Sequence, residues 1–373
     1  MSAEPFRVVI CGGGIAAIEG LLRVRRLAGD ALDVTVVAPN AELRYRPLAV
    51  DEPFSRRGVR TYPVAAIARR TGAEWVQDAL EWLDPDAQVV HTPSGASLSY
   101  DALLLAVGAR SVRPFEHVTV FDDEHADDAY RGLVQDIEGG YTRSVAIVIP
   151  EGPTWLLPAY ELALMTAERA GSMGEEGLAV SVVTPEAAPL AVLGEGASSA
   201  VAKLLADARV QVHANARPSV PRSRRLLVTP DGPELEVERI VAMPRLEGRP
   251  VRNVPTVAGG FVPVDGLCQV RDLGPRVFAA GDMTDFPVKH GGLGSQMADT
   301  AAAGIAALAG QAPAPEPVRP VIRGVLHTGS APLYLTARSF DGRIESEATN
   351  EPEWPEDEKV VAEELGRFLD SLT

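Results

Sequence analysis

A glycine-rich turn between a predicted strand and a predicted helix, near the start of the chain, constrains the fold more than any other feature. Residues 7–11 form a β-branched run, residues 15–27 have helical character, and a second strand is predicted at 34–37. The intervening stretch Gly12-Gly13-Gly14-Ile15-Ala16-Ala17 fits the pattern G-x-G-x-x-G/A. The N-terminus is therefore predicted to be a βαβ unit.

The spacing of small residues in this turn suits a dinucleotide. Gly12 permits the tight turn, Gly14 lets a pyrophosphate approach the backbone, and Ala17 is small enough for the helix to pack closely on the strand. A single match of this kind also occurs in glycine-rich turns of unrelated βαβ proteins, so further motifs are needed.

A similar cycle recurs in the middle of the chain. Strands are predicted at 144–149, 179–183 and 210–213, with helices at 159–169 and 197–207 between them. Two Rossmann-like halves in an α/β fold are the simplest interpretation.

Two further segments agree with a dinucleotide site. Residues 100–107 form an apolar strand that ends in a small-residue turn at Gly108, and residues 277–280 form a strand followed by Gly281 and Asp282. A glycine-rich turn at 291–294 then precedes a helix predicted from about residue 295.

With these three ordered motifs, the sequence resembles the FAD-dependent pyridine nucleotide-disulfide oxidoreductase superfamily, and within it the branch of type II NADH dehydrogenases and sulfide:quinone reductases. The resemblance implies an FAD-binding domain at 1–112 and 251–312, split by an inserted NAD(P)-binding-like domain at 113–250. A small α+β cap is expected at 313–373, in which the sequence predicts two short strands at 324–327 and 333–338 and a final helix over about 356–372. We call residues 113–250 the inserted segment and residues 313–373 the C-terminal segment.

The resemblance also implies roles for individual residues. Lys289 would lie beside the flavin ring, where a cation stabilises the negative charge taken up on reduction, and His290 is either an acid–base group or a polar loop residue. Asn40 or backbone groups would replace the acidic residue that usually follows the second strand and holds the ribose. The implied cofactor-binding set is Gly12, Gly14, Ala17, Asn40, Arg46, Gly108, Gly281, Asp282 and Lys289.

The inserted segment departs from the superfamily pattern. Pro150 and Trp155 stand where its glycine fingerprint has the first and third glycines, and three extra residues precede Ala159. Proline removes an N–H donor, and an indole obstructs either the close packing or the pyrophosphate, although Trp155 fits simple core packing equally well. The stretch 158–162 resembles the sulfide:quinone reductase branch instead. NAD(P)H is therefore disfavoured as a cofactor of this segment.

Cysteine count and charge exclude several other functions. Cys11 and Cys268 belong to no closely spaced pair, so a redox-active disulfide is not expected, and a reducing cytoplasm fits. The net charge of −16 repels nucleic acid. No apolar run reaches the ~18 residues needed to span a bilayer, so we expect no integral membrane segment. No metal-ligand cluster is expected either.

The sequence thus predicts an oxidoreductase that transfers two electrons through a non-covalent FAD without a protein thiol. Its partners would be a small-molecule or protein electron donor and acceptor, and a homodimer is compatible with the sequence. Two alternatives stay open. The first is an NAD(P)H-dependent reductase that passes electrons to a quinone or a protein, and the second is a non-catalytic FAD- or nucleotide-binding subunit of a larger complex.

Overall fold

The computed structural model describes residues 5–54, 58–121, 126–175, 177–340, 343–355 and 358–372. The α-helices in these residues are α1 (Ile15–Ala28), α2 (Val64–Arg70), α3 (Ala126–Glu138), α4 (Leu157–Ser172), α5 (Glu195–Asp207), α6 (Gly291–Leu308) and α7 (Leu365–Asp370). Short 3₁₀ helices lie at Gly29–Ala31, Arg46–Phe54, Ala191–Leu193, Ala258–Gly260 and Gly281–Met283.

The strands follow the chain in three groups. Those up to residue 112 are β1 (Phe6–Cys11), β2 (Leu32–Val37), β3 (Glu42–Arg44), β4 (Thr61–Pro63), β5 (Glu74–Val76), β6 (Trp82–Asp84), β7 (Val89–His91), β8 (Ser97–Ser99), β9 (Ala102–Leu105) and β10 (Ala109–Val112). Those of the inserted segment are β11 (Thr119–Val120), β12 (Ser144–Val148), β13 (Ala179–Val183), β14 (Gln211–His213), β15 (Arg217–Arg222), β16 (Arg225–Thr229), β17 (Glu234–Glu236), β18 (Arg239–Ala242) and β19 (Arg245–Gly248). The remaining strands are β20 (Val277–Ala279), β21 (Val321–Leu326), β22 (Leu333–Phe340) and β23 (Arg343–Thr349).

The first sheet is parallel and has the order β20-β9-β1-β2-β5. Strand β9 is apolar throughout and all four of its residues are buried, as is typical of parallel sheets covered on both faces. Helix α1 packs closely on β9 at Gly20, where a Cβ would lie 2.5 Å from the Leu104 side chain, and the Ala298 side chain of α6 would be 3.7 Å away. The parallel sheet brings the carboxyl ends of its strands to one edge.

A second parallel sheet, with the order β11-β18-β12-β13-β14, lies in the inserted segment. Together, the two sheets confirm the expected α/β fold with two Rossmann-like units. The antiparallel pair β10 and β19 joins residues 109–112 to 245–248, next to both predicted ends of the inserted segment. The boundaries of the three domains stay predictions.

Two local predictions were wrong in extent. Helix α6 begins at Gly291, four residues before the predicted start. The helix predicted over 356–372 is limited to α7, Leu365–Asp370, in the described residues, and residues 356 and 357 lie outside them. The C-terminal segment also has three antiparallel strands, β21 to β23, where the sequence predicted two.

No helix among the described residues is long and apolar enough to cross a membrane. Within the same residues, no group of three or more His, Cys, Asp and Glu side chains is arranged to hold a metal ion.

Candidate functional site

A cleft of about 1460 Å³ runs along the carboxyl ends of the first sheet. Gly12 after β1, Ala38 after β2, Ala106 after β9 and Ala280 after β20 all line it. This edge is where open α/β sheets bind ligands. Residues of the inserted segment and of the C-terminal segment complete the walls, so three parts of the chain form one site.

The glycine turn at β1 leaves no room for a side chain at its first position. Gly12 has φ +139°, and a Cβ there would lie 2.2 Å from the carbonyl oxygen of Ala106. Its N–H donates to the Val37 carbonyl at 2.8 Å, which ties the turn to β2. Ala17 is fully buried beneath the turn and does not line the cleft, so its contribution is close packing and not direct contact.

The N-terminus of α1 is open to the cleft. Gly14 is its N-cap, no side chain caps the first turn, and a Cβ at Gly14 would meet nothing within 4 Å. Helix N-termini expose N–H groups and a positive partial charge, which together bind phosphate. The expected pyrophosphate position is therefore accessible.

Two more glycines allow close approach of the backbone to the cleft. Gly108 and Gly281 have φ values of +72° and +79°, in the region that glycine adopts without strain. A Cβ at Gly294, in the first turn of α6, would lie 3.1 Å from the Gly281 Cα. The start of α6 thus packs directly against the Gly281 turn.

Asp282 is placed among two cations and an indole. Burial raises the pKa of its carboxyl, while a hydrogen bond from Trp155 and the charges of Lys289 and Arg46 lower it. The Trp155 Nε1 donates to Asp282 Oδ2 at 3.0 Å. All four side chains belong to residues that line the cleft.

Lys289 is 7% exposed and is therefore not a solvated surface lysine. Its Nζ donates to the Thr284 carbonyl and lies 3.9 Å from the centre of the Phe261 ring. Burial lowers the pKa of Lys289 to about 8, and the carboxylates of Asp282 and Asp285 oppose this shift. The ammonium is therefore mostly charged at neutral pH.

His290 acts as a helix cap. Its Nδ1 accepts a hydrogen bond from the Gly292 N–H at 3.1 Å at the start of α6. Burial, and then the nearby charge of Lys359, lower the pKa of the imidazole to about 4, so the ring is neutral at pH 7. This geometry favours the structural interpretation of His290 over an acid–base role.

The far end of the cleft offers polar groups near β2. Asn40 and Arg46 both line the cleft, and Asn40 is exposed. Glu42, which the sequence analysis passed over, lines the cleft as well. It is an acidic residue five positions after β2, which is the signal that could have identified it.

Hydrogen bonds tie the connection from β12 to α4 to Pro244 and to β19. The Thr154 hydroxyl donates to the Pro244 carbonyl at 2.7 Å, and the Leu246 N–H donates to the Pro153 carbonyl at 2.8 Å. Trp155, between these anchors and α4, is half-buried and faces the cleft of the first sheet.

An acidic residue after the neighbouring strand β13 already accepts a hydrogen bond within the inserted segment. Glu186 follows β13, where a dinucleotide fold keeps the carboxylate that binds the adenosine ribose. Here the Tyr160 hydroxyl of α4 donates to Glu186 Oε2, and Thr184 lies beside both. Burial raises the pKa of Glu186.

A buried ion pair links the inserted and C-terminal segments at the cleft wall. The Lys359 Nζ lies 2.6 Å from Glu161 Oε1, and both side chains are at most 4% exposed. The same carboxylate oxygen accepts the His327 N–H at 2.8 Å, and His327 Nδ1 lies 2.7 Å from Asp51 Oδ1. No local sequence pattern predicts this cluster, because its members are far apart in the chain.

Carboxylates also anchor α7 to α1. Buried Glu19 accepts the backbone N–H groups of Glu364 and Leu365 at the start of α7. Asp299 of α6 lies nearby, and burial, followed by the charge of Glu19, raises its pKa to about 8. Arg23 lowers that pKa, whereas Glu363 and Glu364 raise it.

Between pH 5 and pH 9, the free energy of unfolding is expected to fall less in the Asp299→Asn variant than in the native protein. A carboxyl whose pKa is raised on folding stabilises the native state below its unfolded pKa, and this stabilisation is lost as the pH rises through about 8. Urea unfolding at pH 5 and pH 9 measures the difference. The exposed control Asp231→Asn should keep the native pH dependence. Equal pH dependence in Asp299→Asn and native protein would contradict the assignment.

The two cysteines lie away from the cleft. Cys11 and Cys268 are at most 1% exposed, and neither lines the cleft. Burial raises the pKa of each thiol to about 12, so neither is a thiolate at neutral pH. Both are free cysteines.

The cleft fits FAD on its own geometry. Gly12 and Gly14 form a cradle with no side chains at an open helix N-terminus, and the carboxylate of Asp282 lies across the cleft after β20. A pyrophosphate matches the first feature, and a carboxylate accepts hydrogen bonds from sugar or ribityl hydroxyls.

Known proteins and one protein family are similar to this chain in sequence. The family model described as pyridine nucleotide-disulphide oxidoreductase matches residues 6–304. A sulfide-quinone reductase of Aquifex aeolicus is 30% identical over 168 residues, which is 42% of this chain and 38% of that protein. An NADH dehydrogenase-like protein of Mycobacterium tuberculosis is 32% identical over 173 residues, which is 42% of each chain. The aligned segments thus span well under two thirds of these relatives.

Solved structures share the fold. The sulfide:quinone oxidoreductase from Aquifex aeolicus superposes with a TM-score of 0.83 at 22% identity, covering 92% of this chain and 87% of that one. An NAD-dependent persulfide reductase from A. fulgidus gives 0.65 at 17% identity, covering 90% and 64%. The chain belongs to the pyridine nucleotide-disulphide oxidoreductase family.

Proposed function

We propose that this oxidoreductase exchanges two electrons between small-molecule or protein partners through a non-covalently bound FAD, without a protein thiol. The observation that carries the proposal is the position of Cys11 and Cys268. Both are buried in the core of the first sheet, outside the cleft that fits the cofactor. A thiol relay needs an accessible thiolate or a close cysteine pair beside the flavin, and neither cysteine meets that need.

The residues that would hold FAD come from the three motifs. Gly12 and Gly14 would receive the pyrophosphate, and Asp282 the ribityl or pyrophosphate end, with Gly108 and Gly281 keeping the backbone close. When bound, FAD supplies the two-electron redox chemistry that the protein's own side chains lack.

Lys289 and the α6 N-terminus would provide positive potential. The Lys289 ammonium is held by the Thr284 carbonyl and the Phe261 ring, so its charge has a fixed position. The N-terminus of α6 adds a partial positive charge that begins at His290. Both would favour added negative charge in the cleft and so raise the reduction potential of the cofactor.

The alternative function is that of an NAD(P)H-dependent reductase, which the similarity to the NADH dehydrogenase-like protein of Mycobacterium tuberculosis supports. Against it stand the β12–α4 connection, which is tied to Pro244 and Leu246, and Glu186, which is engaged by Tyr160. We therefore expect NADH and NADPH to reduce the flavin poorly. Stopped-flow bleaching of the flavin at micromolar NADH or NADPH, fast and saturable, would make the alternative the better one.

The thiol-independent proposal is tested by Cys11→Ala, Cys268→Ala and the double variant. Alanine fills most of each buried site and cannot take part in redox chemistry. Anaerobic flavin reduction is followed with NADH, NADPH, sulfide and thiols as donors. With FAD bound, the flavin of the double variant is expected to be reduced at a rate within a few-fold of the native rate. A loss of a hundredfold or more, with FAD still bound, would show that a thiol takes part.

Two further predictions from the sequence, the domain boundaries and the cellular location, form part of this proposal. The domain boundaries at 112/113, 250/251 and 312/313 are part of the proposal, and the β10–β19 pair joins the first part of the chain to the inserted segment. A cytoplasmic location is supported by two buried, unpaired cysteines.

A further inference from the structure

We propose that Trp155 is a positioning residue of the FAD site, through which the inserted segment holds the Asp282 carboxylate in its binding orientation. The inference rests on FAD as the cofactor and goes beyond the proposed electron transfer. Its first support is the hydrogen bond from the indole Nε1 to Asp282 Oδ2, at 3.0 Å, between residues that follow strands of the two different parallel sheets.

Trp155 is held in place from its own side. Thr154 and Pro153 are hydrogen-bonded to residues 244 and 246, and α4 begins at Leu157. The indole therefore projects from a fixed connection and not from a loose loop. A donor that is already oriented loses little entropy when it holds its partner.

The chemistry of the donor suits this role. Lys289 and Arg46 act on Asp282 through their charges, whereas the indole is a neutral donor that fixes one carboxylate oxygen without adding charge. A carboxylate has two oxygens and about four acceptor sites, so the hydrogen bond from Trp155 leaves capacity for hydroxyl groups of a ligand. Trp155 thus orients Asp282 and leaves it able to bind.

The position of Trp155 explains why a tryptophan stands there. In a dinucleotide fingerprint this position carries a small residue, usually glycine, that lets the helix pack closely on the strand. Here the side chain crosses to the cleft of the first sheet, which it lines together with Asp282. The inserted segment thereby contributes to binding FAD in place of a nucleotide of its own.

The test measures the FAD dissociation constant of the apo-protein for Trp155→Phe, Asp282→Asn and the double variant. Phenylalanine keeps an aromatic ring and removes the N–H donor. A lost hydrogen bond to a charged group predicts about tenfold weaker binding for Trp155→Phe. In the Asp282→Asn background the same change should have an effect of less than about threefold, because the carboxylate is already gone. If Trp155 served only in packing, Trp155→Phe would weaken FAD binding equally in the native protein and in the Asp282→Asn variant.

Trp75→Phe is the matched control. Its indole donates to the Ala38 carbonyl at 3.4 Å in the same part of the fold, and it does not line the cleft. It should bind FAD as the native protein does. Unchanged FAD affinity in Trp155→Phe, or an equal loss in the Asp282→Asn background, would overturn the proposal.

A second measurement decides the matter if Trp155→Phe does not fold. Asp282→Asn replaces the charged partner of the indole, so it should alter the tryptophan emission of the apo-protein. No change in that emission would count against the proposal. The proposed electron transfer is tested separately. FAD binding by the native protein and flavin reduction in the cysteine variants do not depend on the role of Trp155.

Discussion

Replacement of Gly12 with alanine is expected to weaken FAD binding by about a hundredfold or more. The new Cβ would lie 2.2 Å from the Ala106 carbonyl oxygen, and φ +139° is accessible without strain only to glycine. Relief of the collision requires a backbone shift at the phosphate cradle. Strain of about 3 kcal/mol corresponds to a factor of about a hundred in affinity. Titration of the apo-protein with FAD measures the effect.

The control for Gly12→Ala is the same substitution at Gly132. A Cβ at Gly132, on α3, meets nothing within 4 Å, and this residue does not line the cleft. Its variant should bind FAD with native affinity. If Gly12→Ala binds FAD like the Gly132→Ala control, the cradle assigned to the first turn is wrong.

Replacement of Lys359 with methionine is expected to lower the free energy of unfolding by about 3–5 kcal/mol. The change removes the cation but leaves the Glu161 carboxylate buried at 0% exposure, with only backbone support from the His327 N–H. A charge left without its partner in a buried site is far more costly than the pair itself. Urea denaturation of the two proteins measures the loss.

Two further variants define the cause. Lys203→Met removes an exposed lysine that pairs with Asp207 at 2.6 Å, and it should cost less than about 1 kcal/mol. In the double variant Glu161→Gln with Lys359→Met, the loss should be smaller than in Lys359→Met alone, because no unpaired Glu161 carboxylate is left buried. If Lys359→Met is as mild as Lys203→Met, the ion pair does not hold the C-terminal segment at the cleft.

Local motifs account for what the sequence predicted well. The β1–α1 turn and the Gly281-Asp282 motif are contiguous in the chain, and each keeps its own backbone requirement, such as the positive φ of Gly12 and Gly281. A pattern of this kind is readable because the residues that cause the geometry are adjacent. The same holds for the buried cysteines, which lie in strongly apolar surroundings.

Contacts across the chain account for what the sequence did not show. Glu161 and Lys359 are 198 residues apart, and Trp155 and Asp282 are 127 apart. No local spacing signals such pairs. Trp155 was noticed only as a departure from a fingerprint, and its partner required the two sheets to be placed together.

Tertiary packing also changed two helices. The stretch before α7 has helical spacing, yet Lys359 and Val360 enter the cleft wall, where the Val360 N–H donates to the Tyr45 hydroxyl at 2.9 Å. Conversely, α6 begins early in glycines because close packing needs them. A Cβ at Gly291 would lie 2.7 Å from Val360. In both cases packing outweighed intrinsic propensity.

The central claim is that FAD is the redox centre and that no protein thiol shares its electrons. Anaerobic titration of the native holoprotein with dithionite tests it without knowledge of the natural donor. We predict full reduction at two electrons per FAD, because Cys11 and Cys268 form no disulfide to be reduced. Uptake of four electrons per FAD would show a redox-active disulfide and contradict the account.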